Sequence, residues 1–273
     1  MTAMVDWALK YSDLGLAVFP LHGISLGRCT CGNEECSSPG KHPMWDAQLL
    51  PDGVKSATHD KAIISQWWEK WPNANIAIAT GWMSGLLVVD FDGVAGRNSF
   101  LKLQKQHGKW PATLTARTGK GGHLVYHTGL AAFGNKTALF PGVDIRADGG
   151  YIVAAPSTHV SGKRYEWTRN GPMAPAPQWL RDTLQGKEPA TQRAPAQQFD
   201  GPKPHKSIDD HPSIGDGGRN AGLFSLGSRW VWEELWTSSQ VEDMLQEANR
   251  KLCQPPLSQR EVSRIARNVL RQG

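Results

Sequence analysis

Apolar positions along the chain follow two periods. From Val5 to Leu14 and again from Lys61 to Trp71 they recur every three to four residues, which predicts two amphipathic helices. Short apolar runs bounded by turn residues, "LAVFP", "NIAIAT", "GLLVVDF", "GHLVYH", "GVDIRA" and "YIVAAP", read as strands. These elements mix without a regular βαβ rhythm, so an α+β fold is expected rather than a doubly wound parallel sheet. Within the second helix Trp67 and Trp71 share a face, and large aromatics at that spacing are expected to fill a core.

Hydrophobic periodicity stops between Gly186 and about Gly218, where "KEPATQRAPAQQ" and "GPKPHKS" bury too little to offset their ordering. The chain is therefore read as a large domain at 1–185, a linker at 186–216 and a small helical unit at 217–273. In the last unit Ser239 with Glu242, and Ser258 with Glu261, fit the S-x-x-E capping box and mark two helix starts. On the final helix Val262, Ile265, Ala266, Val269 and Leu270 form an apolar face. Arg260, Arg264, Arg267 and Arg271 fall on another face, a stripe suited to solvent or to phosphate contact.

Charge and cysteine usage sharpen this outline. The 273 residues carry 30 Lys plus Arg against 25 Asp plus Glu, a net charge of +5 that permits a polyanionic partner without requiring one. The N-terminal residues lack the apolar block of a signal peptide, and no run approaches the ~18 apolar residues of a membrane span, so a cytoplasmic protein without a membrane partner is expected. In that compartment cysteines stay reduced, yet Cys29, Cys31 and Cys36 crowd together with His42 in "CTCGNEECSSPGKHP". Thiolates and an imidazole are the ligands of a structural Zn²⁺, so the loop at 29–42 is expected to close on one zinc ion. His22 is a weaker candidate for the fourth ligand, and Cys253 is expected to be a buried thiol.

The run "LLVVDFDG" places Asp90 and Asp92 on one strand face, with Leu86 and Val88 behind them. Side-by-side carboxylates repel unless a cation or a proton intervenes; a solvated strand end is the plainer reading. Two later stretches supply partners: His123 opens a strand after a glycine-rich turn, and Asp144 shares a strand face with Arg146. A third carboxylate converging on the pair makes an oxygen-rich site suited to two Mg²⁺ or Mn²⁺ ions, which promote in-line phosphoryl displacement. Gly119, Gly121 and Gly122 would let backbone amides approach a triphosphate, with Arg117, Lys120 or Arg146 offsetting its charge.

The series "GLLVVDFDG", "TGKGGHLVYH" and "GVDIRADGGYIVAAPS" resembles the three motifs of the bifunctional DNA primase/polymerase domain of the archaeo-eukaryotic primase superfamily. "GKHP", "WWEKWPNANIAIATG" and "SGKRYEW" fit as flanking stretches. The resemblance runs from Val5 to Leu184. "GGRNAGLFSLGSRW", which contains Arg219, and "NRKLCQPPLSQREV" are similar to the helical primase C-terminal domain. The resemblance implies an RRM-like catalytic sheet beside a smaller α/β module, with a zinc-binding loop and a small C-terminal helical bundle. It also implies synthesis of primers on single-stranded DNA from nucleoside triphosphates, often with DNA polymerase activity at the same site. Asp90, Asp92 and Asp144 match the metal-binding carboxylates, His123 the histidine on the incoming phosphates, and Arg146 a basic position near the triphosphate.

By the same analogy the source is a phage or other mobile element in a bacterial cytoplasm. The absence of a G-x-x-x-x-G-K-[ST] pattern implies a separate helicase partner. Two rivals remain. A haloacid-dehalogenase-type phosphatase would use Asp90 as nucleophile and Asp92 as general acid/base, but its late acidic pair would have to be Asp209 and Asp210 in the expected linker. A non-catalytic module would bind single-stranded DNA through the zinc loop and the basic residues Arg219, Arg260, Arg264, Arg267 and Arg271.

Overall fold

The structure, a computed structural model, describes residues 3–128, 131–186, 213–215, 218–220, 222–224, 226–227 and 238–270. Most of the expected linker, including Asp209 and Asp210, lies outside the described residues, as does Arg271.

The chain opens with helix α1 (Met4–Asp13), strand β1 (Val18–Leu21) and a small hairpin of β2 (Ile24–Ser25) and β3 (Arg28–Cys29). Helix α2 (Lys61–Lys70) leads into β4 (Asn75–Ala79) and the long β5 (Leu86–Asp92), followed by α3 (Gly93–His107). Then come β6 (Leu114–Arg117), β7 (Gly121–His127), β8 (Lys136–Phe140), β9 (Val143–Arg146), β10 (Tyr151–Val153), β11 (Glu166–Arg169) and α4 (Gln178–Leu184). Two further helices are α5 (Ser238–Leu252) and α6 (Gln259–Leu270).

The strands form two main sheets. One has the order β1-β4-β10 and the other β11-β6-β7-β5-β9-β8, with every pairing antiparallel. The α+β class holds, and a parallel doubly wound sheet is excluded for the described strands.

β5 runs down the middle of the larger sheet and alternates as its sequence dictates. Leu86 and Val88 join a core shared with α1, α2 and the smaller sheet; Leu87, Val89 and Phe91 join a second core with Tyr126, Ile145 and Leu180. Phe91 meets Phe100 of α3 edge-on at 5.1 Å between ring centroids. Asp90 and Asp92 therefore continue the face that looks toward the smaller sheet.

In α2 the Asp60 side chain accepts from the Ala62 and Ile63 amides, capping the helix. Both expected aromatics reach the core, Trp67 fully buried and Trp71 packed against it half-buried, and Trp68 is buried as well. The helix ends at Lys70, and Trp71 is its C-cap residue. Trp68 donates its indole N–H to the Ala74 carbonyl at 3.2 Å.

The C-terminal helices bury the expected face, Val262, Ile265, Ala266 and Val269, in the same core as α1; the Leu270 side chain is outside the described residues. The Ser258 box forms in both directions: the Glu261 amide donates to Ser258 Oγ, and the Ser258 amide donates to Glu261 Oε2 at 3.0 Å. α5 starts at Ser238, one residue before the expected cap. Cys253 is buried.

Candidate active site and metal cluster

Antiparallel register brings the separated motifs together. On one side of β5, Asp90 lies opposite His123 of β7; on the other, it lies opposite Asp144 of β9. Three side chains from distant parts of the chain thus form a row across adjacent strands, on one face of the sheet. A cleft of about 350 Å³ opens over this row, lined by Asp90, Asp92, His123 and Arg146 from the large sheet and by Tyr151, Ile152 and Val153 from β10.

Burial dominates the electrostatics of the row. The Asp90 carboxyl is pushed up to about 7, first by desolvation and then by Asp92, against a weaker pull from Arg146. His123 is pushed down to about 3, again chiefly by burial, with Lys41 and Arg146 adding to it. Its Nε2 lies 3.5 Å from Asp90 Oδ1, a contact of a neutral imidazole rather than an ion pair at neutral pH. His123 Nδ1 is buried and has no hydrogen-bond partner among the described residues. A buried polar atom without a partner calls for a ligand or an ordered water, and His123 is among the residues that line the cleft.

A divalent cation between Asp90 and Asp92 would offset both the burial and the repulsion that raise the Asp90 carboxyl, so the pair fits a hard cation. Asp144 is placed differently from the simplest expectation. Its backbone register is correct, but its oxygens accept from the Ala138 amide at 2.8 Å and from Arg146 at 2.7 Å, and it does not line the cleft. Arg146 is thus shared between Asp144 and the cleft.

The glycine turn does not offer the expected amide cradle. Thr118 Oγ1 already accepts from the amides of Lys120 and Gly121, and Gly122 is paired inside the sheet. Arg117 is paired with Glu166 across the β6–β11 edge, and neither it nor Lys120 lines the cleft. The glycines answer to packing instead. A Cβ on Gly121 would lie 1.6 Å from the Phe91 carbonyl oxygen, and one on Gly119 would lie 2.2 Å from the His159 ring. Gly121→Ala is expected to lower stability by about 2–4 kcal/mol, because the obstacle is strand backbone that cannot move aside. Thermal unfolding reads this directly, and a melting temperature within 1–2 °C of wild type, about 0.5–1 kcal/mol at this chain length, would contradict the placement.

Sequence reasoning missed several cleft residues. Lys41, Thr118, Asn135 and Tyr165 all line it. The only signal for Lys41 was "GKHP", and for Tyr165 "SGKRYEW", neither of which carries a spacing rule.

Beside the cleft, Cys29, Cys31, Cys36 and His42 place one ligand atom each within 4.8 Å of all the others. His42 Nε2 lies 3.4 Å from Cys29 Sγ and 3.5 Å from Cys36 Sγ. Tetrahedral bonds of about 2.3 Å to sulfur and about 2.0 Å to nitrogen give edges of about 3.5 Å, so the donor set and its spacing fit Zn²⁺. His22 is outside the set: its ring stacks on His42 at 4.4 Å between centroids, and its Nδ1 meets Thr30 Oγ1. His42 and Ser38 belong to this loop and also line the cleft.

The basic residues of the last unit divide. Arg260, Arg264 and Arg267 are exposed along α6, whereas Arg219 is half-buried and donates to the Pro255 carbonyl at 2.6 Å. Arg219 therefore ties the chain to itself rather than extending the stripe. No helix among the described residues is long and apolar enough to cross a membrane.

Two family models match. One, described as bifunctional DNA primase/polymerase, N-terminal, covers residues 8–179, and one described as primase C terminal 1 covers residues 209–272. No curated protein matches the chain.

Proposed function

The chain belongs to the bifunctional DNA primase/polymerase family, and from that membership and the cleft we propose that it makes primers on single-stranded DNA by metal-dependent nucleotidyl transfer from nucleoside triphosphates. The observation that carries this reading is the register that sets Asp90 between His123 and Asp144 on three adjacent strands, with Asp90, Asp92 and His123 lining a cleft of about 350 Å³. Asp90 and Asp92 would hold Mg²⁺ or Mn²⁺, with Asp144 as the third carboxylate once it exchanges its Arg146 contact. Two such ions, when bound, lower the barrier to attack by a hydroxyl and stabilise the departing pyrophosphate.

The protein's own groups do the rest. His123, held neutral by burial, would satisfy its unpartnered Nδ1 on a phosphate oxygen without competing for the cations. Arg146 faces the same cleft with charge to offset the triphosphate. Positioning and charge compensation are what phosphoryl transfer asks of a protein, and no nucleophilic side chain is needed. Arg260, Arg264 and Arg267 would contact template phosphates. Replication of a phage or other mobile element in a bacterial cytoplasm, with unwinding by a separate helicase, completes the proposal.

Primer synthesis on unprimed single-stranded DNA, with labelled nucleotides and Mg²⁺ or Mn²⁺, tests it. Wild type is expected to give oligonucleotide products that require template. Extension of an annealed primer alone would keep the polymerase and remove de novo initiation. DNA binding with no product in either format would favour a non-catalytic module that binds through the exposed arginines of α6.

A further inference from the structure

The cleft has two lysine or arginine side chains in its wall, Lys41 and Arg146, and they differ in what they already hold. Arg146 is engaged by Asp144. The Lys41 ammonium has no ion-pair or hydrogen-bond partner among the described residues, although it lies close enough to Asp90, His123 and His159 to act on all three electrostatically. A cation held in a half-buried wall without a partner is poised for an anionic ligand.

Lys41 reaches the cleft because its backbone is pinned from several sides. The Tyr151 hydroxyl donates to the Lys41 carbonyl at 2.9 Å, and the Asn75 amide donates to the Gly40 carbonyl at 2.9 Å. The Gly40 amide in turn donates to Cys29 Sγ at 3.4 Å, and the next residue, His42, closes the metal cluster. Gly40 has φ +71°, and a Cβ there would come within 2.9 Å of Ile24, so the turn into Lys41 depends on glycine. One residue from a cluster ligand to the free cation leaves little slack between the two.

We propose that Lys41 grips the phosphates of the incoming nucleoside triphosphate, and that the cysteine–histidine cluster, by fixing the loop, sets nucleotide affinity. This rests on the reading that the cleft takes a nucleoside triphosphate. The loop then has a function beyond holding itself together: metal on the cluster and nucleotide in the cleft favour the same loop conformation, so each strengthens the binding of the other.

The test is equilibrium binding of a non-hydrolysable deoxynucleoside triphosphate to the full chain in Ca²⁺, followed by calorimetry. Lys41→Ala is expected to weaken binding by about 10-fold to 100-fold, the range for losing a charge-assisted hydrogen bond, and Lys41→Arg by less than about 5-fold. Stripping zinc with a chelator should weaken binding by a similar factor, and restoring zinc should reverse it. In the Lys41→Ala protein, stripping should add less than about 3-fold, because both changes remove the same contact. Equal affinity of Lys41→Ala and wild type overturns the proposal while leaving the nucleotide site intact. Multiplying effects of stripping and Lys41→Ala overturn the coupling. A wild type that binds no triphosphate in any metal overturns the nucleotide reading as well.

Discussion

Asp90→Asn is expected to reduce nucleotide incorporation by about three orders of magnitude or more, the scale of losing a metal-held transition-state charge, while single-stranded DNA binding stays within about two-fold of wild type. The same substitution is expected to raise the melting temperature of the cation-free protein. Folding moves the Asp90 carboxyl from an ordinary 3.8 to about 7, so the folded state holds its proton more tightly than the unfolded chain does. Stability from this group is therefore greatest below about pH 4, falls as pH rises toward 7, and stays low above it, by roughly 4 kcal/mol at most. Asparagine removes that dependence. Mg²⁺ or Mn²⁺ should stabilise wild type at pH 8, where the carboxylates are charged, and should leave Asp90→Asn nearly unchanged. Thermal unfolding across pH 4 to 8, with and without cation, checks every step. An Asp90→Asn protein that melts well below wild type would make Asp90 a structural residue and remove the argument for a cation between it and Asp92.

What could be read from the chain before its structure was whatever depends on neighbours in sequence. Alternation along β5 placed Asp90 and Asp92 on the face of Leu86 and Val88, and close spacing pointed to Cys29, Cys31, Cys36 and His42 as one cluster. Capping chemistry located the start of α6 at Ser258. The rest depended on contacts far apart in the chain. Arg117 is taken from the cleft by Glu166, a partner 49 residues away whose strand, β11, had no apolar alternation to announce it. α3 carries few apolar positions and was missed, although Phe100 packs it against Phe91 of the sheet. Thr118 captures the turn amides through its own hydroxyl, a choice that glycine spacing cannot encode. Lys41 is the most consequential omission: its position follows from Tyr151 and Asn75, residues more than thirty positions away.

The second large effect concerns the metal cluster. Purified protein is expected to carry about one equivalent of zinc per chain, and removing it should lower the melting temperature by about 5 °C or more. The reason lies in how little else holds the loop. Between His22 and His42 the buried residues are Gly23 and Gly40, neither of which has a side chain to bury, while Leu26 at the hairpin tip is fully exposed. A segment of that composition has no apolar core of its own, and the ordering cost of its backbone must be met by backbone hydrogen bonds and the four ligands. Most of its backbone hydrogen bonds are local turns, the Gly32 amide to the Cys29 carbonyl, the Cys36 amide to the Asn33 carbonyl and the Lys41 amide to the Ser38 carbonyl, and the His22 amide to the His42 carbonyl joins the two ends. Cys31 and Cys36 are half-buried among exposed neighbours, where local turns alone do not tie the middle of the loop to the rest and ligation would. Cys36→Ser should therefore release the middle of the loop first. Limited proteolysis at Arg28 is expected to accelerate at least ten-fold, at a temperature where α1 and the two sheets remain folded. Zinc well below one equivalent, together with unchanged cleavage in Cys36→Ser, would mean that the loop is ordered by its backbone hydrogen bonds alone and that the thiols are bystanders.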